Sequence, residues 1–441
     1  MILFFVLMSL SAIAITPEEL RESVIKNFPL IEEAVLKREA ADADVLSGKG
    51  EFDHKLKFKS RNRIEDKFDN QIFETSIERN TGVQGISLIG GHRQGVGTFP
   101  LYDGKFKTSA LGEIYAGISV PLLRDRDTDE GRTNLAVQRI ERDQSREDVR
   151  VKQFMYVHKA LSLYYKWIAE DRVLKINREL LELALQRESM LQIRFKRGDV
   201  EKVKLTDNER TIAKREAEVQ KSEVKLRSIE AQLILFTGDV TRISSLEDKD
   251  LRTLSDPQLG SLPDPVTLPQ VKILTLEQKK GKLLRDLNEQ SRLPGLGVDL
   301  LGSRELSGNY PYDPNTLQVG VRFDFPLENR KARGKTVSQE YKLQALERRL
   351  AYTLGELKAN YDNAVTVTGI NLRRFTTTSS EADMSRTMAE AERVRFRMGG
   401  SELFTVILRE LDVADAEIRK WSSWYDFHQS VLDAKLFNGT I

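Results

Sequence analysis

The chain has 441 residues, of which 31% are charged and 40% hydrophobic, with 12 prolines; that mixture suits long solvated helices better than a large compact α/β core. Its 69 basic and 67 acidic residues leave a net charge of +2 and are interspersed, so the basic patch that nucleic-acid binding needs is absent. There is no cysteine, which excludes disulfides, thiolate metal sites and cysteine nucleophiles, and implies no cysteine-linked lipid anchor.

The opening MILFFVLMSLSAIAITPEEL joins an apolar run, Ile2 to Met8, to Ala12-Ile13-Ala14, the A-x-A form of a signal-peptidase site. Residues 1–14 are expected to be a signal peptide, although no Lys or Arg precedes the run. About 14 apolar residues are too few for a bilayer span, which needs roughly 20. A helical pattern then runs from Pro17 to Leu46, opened by Thr16 as N-cap, Pro17 at the first helical position and Glu19 three after the cap. HKLKFKSR switches to alternation, with Leu56 and Phe58 on one face and Lys55, Lys57 and Lys59 on the other, which is a strand. Residues 62–108, rich in Gly and polar side chains, read as irregular hairpin extensions. Alternation returns at EIYAGISVP, ended by Pro121.

A proline-free helical stretch follows over 128–196, about 100 Å at 1.5 Å per residue. RFKRGD, residues 194–199, interrupts it, and a return arm covers 201–236. In that arm Leu205, Ile212, Val219, Leu226 and Leu233 recur every seven residues, the signature of a coiled-coil seam. Glu209, Glu216, Glu223 and Glu230 form a parallel column that reads as a solvated flank. The heptads stop in 239–270, where Pro257, Pro263, Pro265 and Pro269 mark a proline-rich link. A helix over 271–291 precedes LPGLGVDLLGS; the loop LSGNYPYDPNT leads to LQVGVRFDFP, whose Leu317, Val319, Val321, Phe323 and Phe325 oppose Gln318, Arg322 and Asp324. A second proline-free helix, 330–395, reaches RFRMGG, and a last arm runs to Leu436.

Much of this occurs twice. Arg194 and Arg395, Gly198 and Gly399, and Leu235-Phe236-Thr237-Gly238 and Leu436-Phe437-Asn438-Gly439 are each 201 residues apart. Residues 15–238 and 271–441 are therefore expected to be two structural repeats joined by the 239–270 link. Each repeat supplies two strands and a long helical hairpin, with tips near 198 and 399. Four strands cannot close a barrel in one chain, but several chains together satisfy every strand edge, as lipid requires.

These residues resemble the outer-membrane efflux protein family whose best-known member is TolC. The resemblance rests on NFPLIEEA, ISVPLLRDR, FDFPLENR, the two R-F-x-x-G breaks and the LFTG and LFNG helix ends, in order and duplicated. It implies a mainly α chain carrying a transmembrane β-barrel: long coiled-coil hairpins plus four strands per chain, internally duplicated, in a trimeric α/β barrel of 12 strands. The implied function is a passive exit duct of a tripartite efflux or type I secretion system. Its implied partners are a periplasmic adaptor, an inner-membrane transporter that supplies energy, and outer-membrane lipid. Arg194, Gly198, Arg395 and Gly399 become the candidate tip contacts for the adaptor. Relatives often carry an aspartate six residues after the tip glycine; here those positions are Lys204 and Thr405, and Asp207 is the nearest acid, so these three are the candidate aperture residues. Lys55, Lys57, Lys59, Arg322 and Asp324 are candidate lumen residues, with the basic ones expected to make the outer end of the duct electropositive.

The competing reading is a non-transporting periplasmic coiled-coil scaffold whose strands form a soluble sheet. No enzyme is expected and no cofactor or metal is implied: His54, His92, His158 and His428 are scattered without ligand spacing. GLGVDLLG lacks the dinucleotide fingerprint, and no nucleophile-elbow motif occurs. Arg197-Gly198-Asp199 spells an adhesion tripeptide but sits on a helix reversal.

Overall fold

The computed structural model describes residues 16–64, 69–102, 105, 107–237, 254, 257–306 and 312–441. The expected signal peptide and most of the expected link, 239–253, lie outside them. The chain divides into two compact units, Val35–Asp148 with Gln270–Tyr352, and Met1–Ala34 with Val149–Pro269 and Thr353–Ile441.

The opening helix is two helices, α1 (Pro17–Asn27) and α2 (Pro29–Lys49). Thr16 and Glu19 form the expected capping box, with Glu19 N–H donating to Thr16 Oγ1 at 3.2 Å and Thr16 N–H to Glu19 Oε2 at 3.0 Å. The single helix expected over 17–46 breaks at Phe28, which is extended because Pro29 follows it.

Among the described residues the first unit holds six strands rather than the four expected. They are β1 (Lys55–Arg63), β2 (Asn70–Asn80), β3 (Ser87–Val96), β4 (Glu113–Pro121), β5 (Gly295–Glu305) and β6 (Asn315–Asp324). Each pairs antiparallel with the next, in the order β1-β2-β3-β4-β5-β6. The four strands legible in the sequence are β1, β4, β5 and β6; the Gly-rich region 62–108, expected to be irregular, contains β2 and β3. Its strand signal is weak because β3 carries Gly90, Gly91 and Gly95, and glycine has no side chain to pack on a sheet. At Gly91 the glycine is required: a Cβ would come within 2.5 Å of Thr75 O and 2.8 Å of the Tyr115 hydroxyl, whose ring crosses it. Gly82 (φ +72°) and Gly85 (φ +68°) then make the β2–β3 turn.

The second unit is helical. The hairpin arms are α3 (Glu130–Lys196) with α4 (Lys202–Thr237), and α6 (Arg330–Arg397) with α7 (Leu403–Asn438); α5 (Pro269–Gln290) precedes β5. Residues 130–148 of α3 and 330–352 of α6 belong to the first unit. Val219, Leu226 and Leu233 of the expected seam are buried. A second seven-residue column, Asn208, Arg215, Ser222, Ile229 and Phe236, is buried too, as the paired a and d positions of a coiled coil require. The main core gathers Leu20 and Val24 from α1, Tyr164, Trp167 and Ile168 from α3, Leu233 from α4 and Trp424 from α7. The described part of the link, 257–268, is irregular apart from a short 3₁₀ turn, Pro265–Thr267, as its prolines require.

Candidate functional site: the strand faces and the hairpin tips

Strand pairing sorts the sheet into two unlike faces. One carries Leu56 and Phe58 of β1, Phe73 and Ile77 of β2, Leu88 of β3, Ile114, Ile118 and Val120 of β4, Leu296, Val298 and Leu300 of β5, and Leu317, Val319, Val321 and Phe323 of β6. Its only Asp, Glu, Lys or Arg residues are Arg79, beside the β2–β3 turn, and Arg304, at the opposite end. Leu56, Phe58, Leu317, Val319, Val321 and Phe323 are 65–75% exposed, an apolar surface that none of the described residues covers.

The other face holds every predicted lumen residue: Lys55, Lys57 and Lys59 on β1, Arg322 and Asp324 on β6. These positions are not the electropositive outer end that was expected. Lys57 is ion-paired with Glu78, Lys59 lies opposite Glu74, Arg322 Nε is 2.7 Å from Asp299, and Asp324 is 2.7 Å from Arg124 Nη2. Moreover Lys55, Arg322 and Asp324 sit where the strands join the helices, so they lie at the helical rim of the sheet.

At the opposite rim sits a cluster that sequence reasoning missed. Tyr102, Lys105 and Ser109, from between β3 and β4, fold onto the charged face, where Glu113 and Glu305 are 0% and 3% exposed. Glu305 accepts from Lys105 Nζ at 2.9 Å, from Ser109 N–H at 3.0 Å and from the Tyr102 hydroxyl at 3.3 Å. Glu113 pairs with both Arg93 and Lys105. Burial, and then the Glu305 and Glu113 carboxylates, push the Tyr102 hydroxyl above its usual range, so it remains a donor. Two buried acids and two bases far apart in sequence leave no local motif.

The hairpin tips match the duplicated hexamer atom for atom in their backbone bonds. Gly198 has φ +83° and Gly399 φ +80°. Gly198 N–H donates to Phe195 O at 2.9 Å and Asp199 N–H to Arg194 O at 2.9 Å; Gly399 N–H donates to Phe396 O at 3.1 Å and Gly400 N–H to Arg395 O at 2.9 Å. This pair of bonds across a left-handed residue is the Schellman motif. The arginines differ. Arg194 places its guanidinium 5.8 Å from the Phe396 ring centre, joining the tips of the two hairpins, whereas Arg395 is exposed and 3.8 Å from Glu392. Phe396 is buried and Phe195 exposed.

Of the aperture candidates, Lys204 is exposed in the first turn of α4, Thr405 is half-buried in the first turn of α7, and Asp207 is 2.9 Å from Arg210. Behind them the seam turns polar: buried Arg187 pairs with buried Glu410, which Arg393 Nε reaches at 3.3 Å, and buried Asn208 donates to Ala184 O at 3.0 Å.

Among the described residues no group of three or more acidic or His side chains is placed to hold a metal, and no helix is long and apolar enough to cross a membrane. No family model and no curated protein matches the sequence. Solved structures do match the fold. The CmeC outer membrane channel of Campylobacter jejuni aligns over 96% of this chain and 86% of its own, at 11% identity and TM-score 0.70. The outer membrane protein VceC of Vibrio cholerae aligns over 96% of both chains, at 12% identity and TM-score 0.71. The open-state MtrE outer membrane channel of Neisseria gonorrhoeae aligns over 96% and 88%, at 12% identity and TM-score 0.67. The chain thus has the TolC-like α/β-barrel fold.

Proposed function

We propose that this chain is an outer-membrane exit duct of the TolC family, passing solutes passively while an inner-membrane transporter and a periplasmic adaptor supply energy and choice of cargo. The observation that carries this reading is the sorting of the sheet: charged side chains gathered on one face, and on the other an apolar band that none of the described residues covers. A soluble sheet in a scaffold has no use for such a band, whereas lipid demands it. Among the described residues the outer strands β1 and β6 each have one partner. They run in opposite directions, so β6 of one copy pairs antiparallel with β1 of the next and closes a ring. Three chains make up that ring in this reading, as the resemblance to the TolC family implies.

In this reading the two repeats, 15–238 and 271–441, contribute the two hairpins of each chain, and residues 1–14 direct export to the outer membrane. The tips around Gly198 and Gly399 meet the adaptor, and the exposed guanidinium of Arg395 is the better placed of the two arginines to do so. Lys204, Thr405 and Asp207 line the periplasmic aperture, where three copies of Lys204 would repel cations rather than bind them. Lys55, Lys57, Lys59, Arg322 and Asp324 line the barrel lumen.

The test is to purify the protein from detergent-solubilised membranes, measure the mass of the assembly and record single-channel conductance in a planar bilayer. A conducting assembly of three chains is expected. A soluble monomer or dimer without conductance overturns the duct and favours the scaffold.

A further inference from the structure

The hairpin β2–β3 runs the full depth of the sheet. β2 pairs with β1 along its whole length, from Lys55 opposite Glu78 to Arg63 opposite Asn70. β3 pairs with β4 from Ser87 opposite Ser119 to Arg93 opposite Glu113. The turn between β2 and β3 packs at the helical rim: Asn80 Nδ2 donates to Glu51 O at 3.4 Å, a Cβ on Gly82 would touch the Phe52 ring at 3.3 Å, and one on Gly85 would meet Asp125 O at 2.3 Å. Phe52 ends the turn before β1, and Asp125 lies between β4 and α3. Each strand therefore travels from one rim of the sheet to the other, as the remaining four do.

The apolar band supports the same conclusion by its slope. On β5 and β6 it is centred on the paired Val298 and Val321; on β1 and β2 it is centred on the paired Phe58 and Thr75. Followed through the register, Phe58 and Thr75 lie level with Asn315, six residues from Val321 along β6. The band thus climbs about 20 Å while crossing four strand spacings, about 19 Å, at roughly 3.3 Å per residue and 4.8 Å per strand. That slope is a strand tilt of about 45°, the tilt transmembrane barrels use. Of the two added strands, β2 carries Phe73 and Ile77 in this band, while β3 contributes Leu88 and Gly90 before the face turns polar at His92 and Gln94.

We propose that β2 and β3 are membrane-spanning staves, so that the barrel has six strands per chain and 18 in three chains. The proposal rests on the duct reading above and on its three-chain ring. At a tilt of about 45° and a spacing of 4.8 Å, 18 strands give a backbone-to-backbone diameter of about 39 Å, against about 26 Å for 12. Side chains alone do not fill a bore of that width. The barrel then places no tight size limit on cargo, and Tyr102, Lys105 and Ser109, held on Glu113 and Glu305, narrow its outer end.

The chain has no cysteine, so single cysteines report cleanly. Ile77→Cys on β2, Leu88→Cys on β3, Val319→Cys on β6 and the lumen-facing Lys59→Cys on β1 are each made in the full chain. Intact outer membranes are then treated with a charged maleimide. Lys59→Cys is expected to react, and the other three about tenfold more slowly or less, because a charged reagent does not enter lipid. If Val319→Cys is protected while Ile77→Cys and Leu88→Cys react like Lys59→Cys, β2 and β3 lie outside the membrane and the 18-strand barrel is wrong, although the duct stands. If Val319→Cys reacts as well, the duct reading itself fails. An unreactive Lys59→Cys overturns the assignment of the charged face to the lumen.

Discussion

Replacing Val319 by lysine separates a lipid-facing sheet from a soluble one. Val319 is 65% exposed, near the middle of the apolar stretch of β6, and lies opposite Leu300 of β5. A lysine near the bilayer midplane of a barrel costs about 2–4 kcal/mol. Three chains carry three copies, so one assembled ring loses about 6–12 kcal/mol, and even the low figure per chain is about a 30-fold shift in equilibrium. The adjacent Gln318 points to the charged face, opposite Leu301. Gln318→Lys puts the same charge into water and should cost within about 0.5 kcal/mol, like other surface changes. The assay is the yield of assembled oligomer in outer-membrane fractions and its melting temperature on heated gels. Val319→Lys should lose most of the assembled form while Gln318→Lys keeps it. Equal behaviour of the two variants would refute the lipid assignment of the face.

Other perturbations probe separate parts. Glu305→Gln removes the charge that holds Lys105, Ser109 and Tyr102 together; breaking a buried pair costs about 3 kcal/mol, enough to release them, so conductance should rise, and an unchanged value shows that they do not narrow the bore. His428 is enclosed by the Tyr165, Trp424 and Phe427 rings, and burial, then Lys435, lower its pKa from 6.5 to about 3. The unfolded chain therefore takes up a proton that the folded chain refuses, and stability falls by up to about 1.4 kcal/mol per pH unit as pH drops from 6.5 toward 3. His428→Phe should flatten that part of the melting-temperature profile, and a profile unchanged by the substitution contradicts the buried neutral imidazole. Gly198→Ala meets no neighbour within 4 Å, so its cost is backbone strain alone, about 1–2 kcal/mol, and Gly198→Asn should restore most of it in thermal melts. Lys204→Asp should introduce block of conductance by divalent cations; a variant insensitive to them removes Lys204 from the aperture.

The readable parts of the chain were those where one residue type answers one physical demand. Strands β1, β4, β5 and β6 announce themselves because each alternates apolar and polar residues, and pairing then gathers their polar sides onto one face. The tip glycines were legible because a left-handed residue closing a helix favours glycine, and the hexamer recurs where that need recurs. Thr16 and Glu19 were legible for the same reason at a helix start. The failures share a different cause. β3 gives up side chains at Gly90 and Gly91, and Gly91 exists to let Tyr115 cross toward Glu74, a demand set by two other strands. Asn208, Arg215 and Ser222 look like solvated helix residues, yet they occupy the seam. Their burial is satisfied by partners such as Ala184 O for Asn208, and Asn177 Nδ2, which donates to Ser222 at 3.0 Å. The Glu113–Glu305 cluster likewise draws its bases from positions 93 and 105. A residue whose role is set by its own backbone can be read from its neighbours in sequence; one whose role is set by a partner 20 or 200 residues away cannot. The extra hairpin belongs to the second kind, which is why a chain that otherwise reads as four strands per copy reveals its wider sheet only through the register.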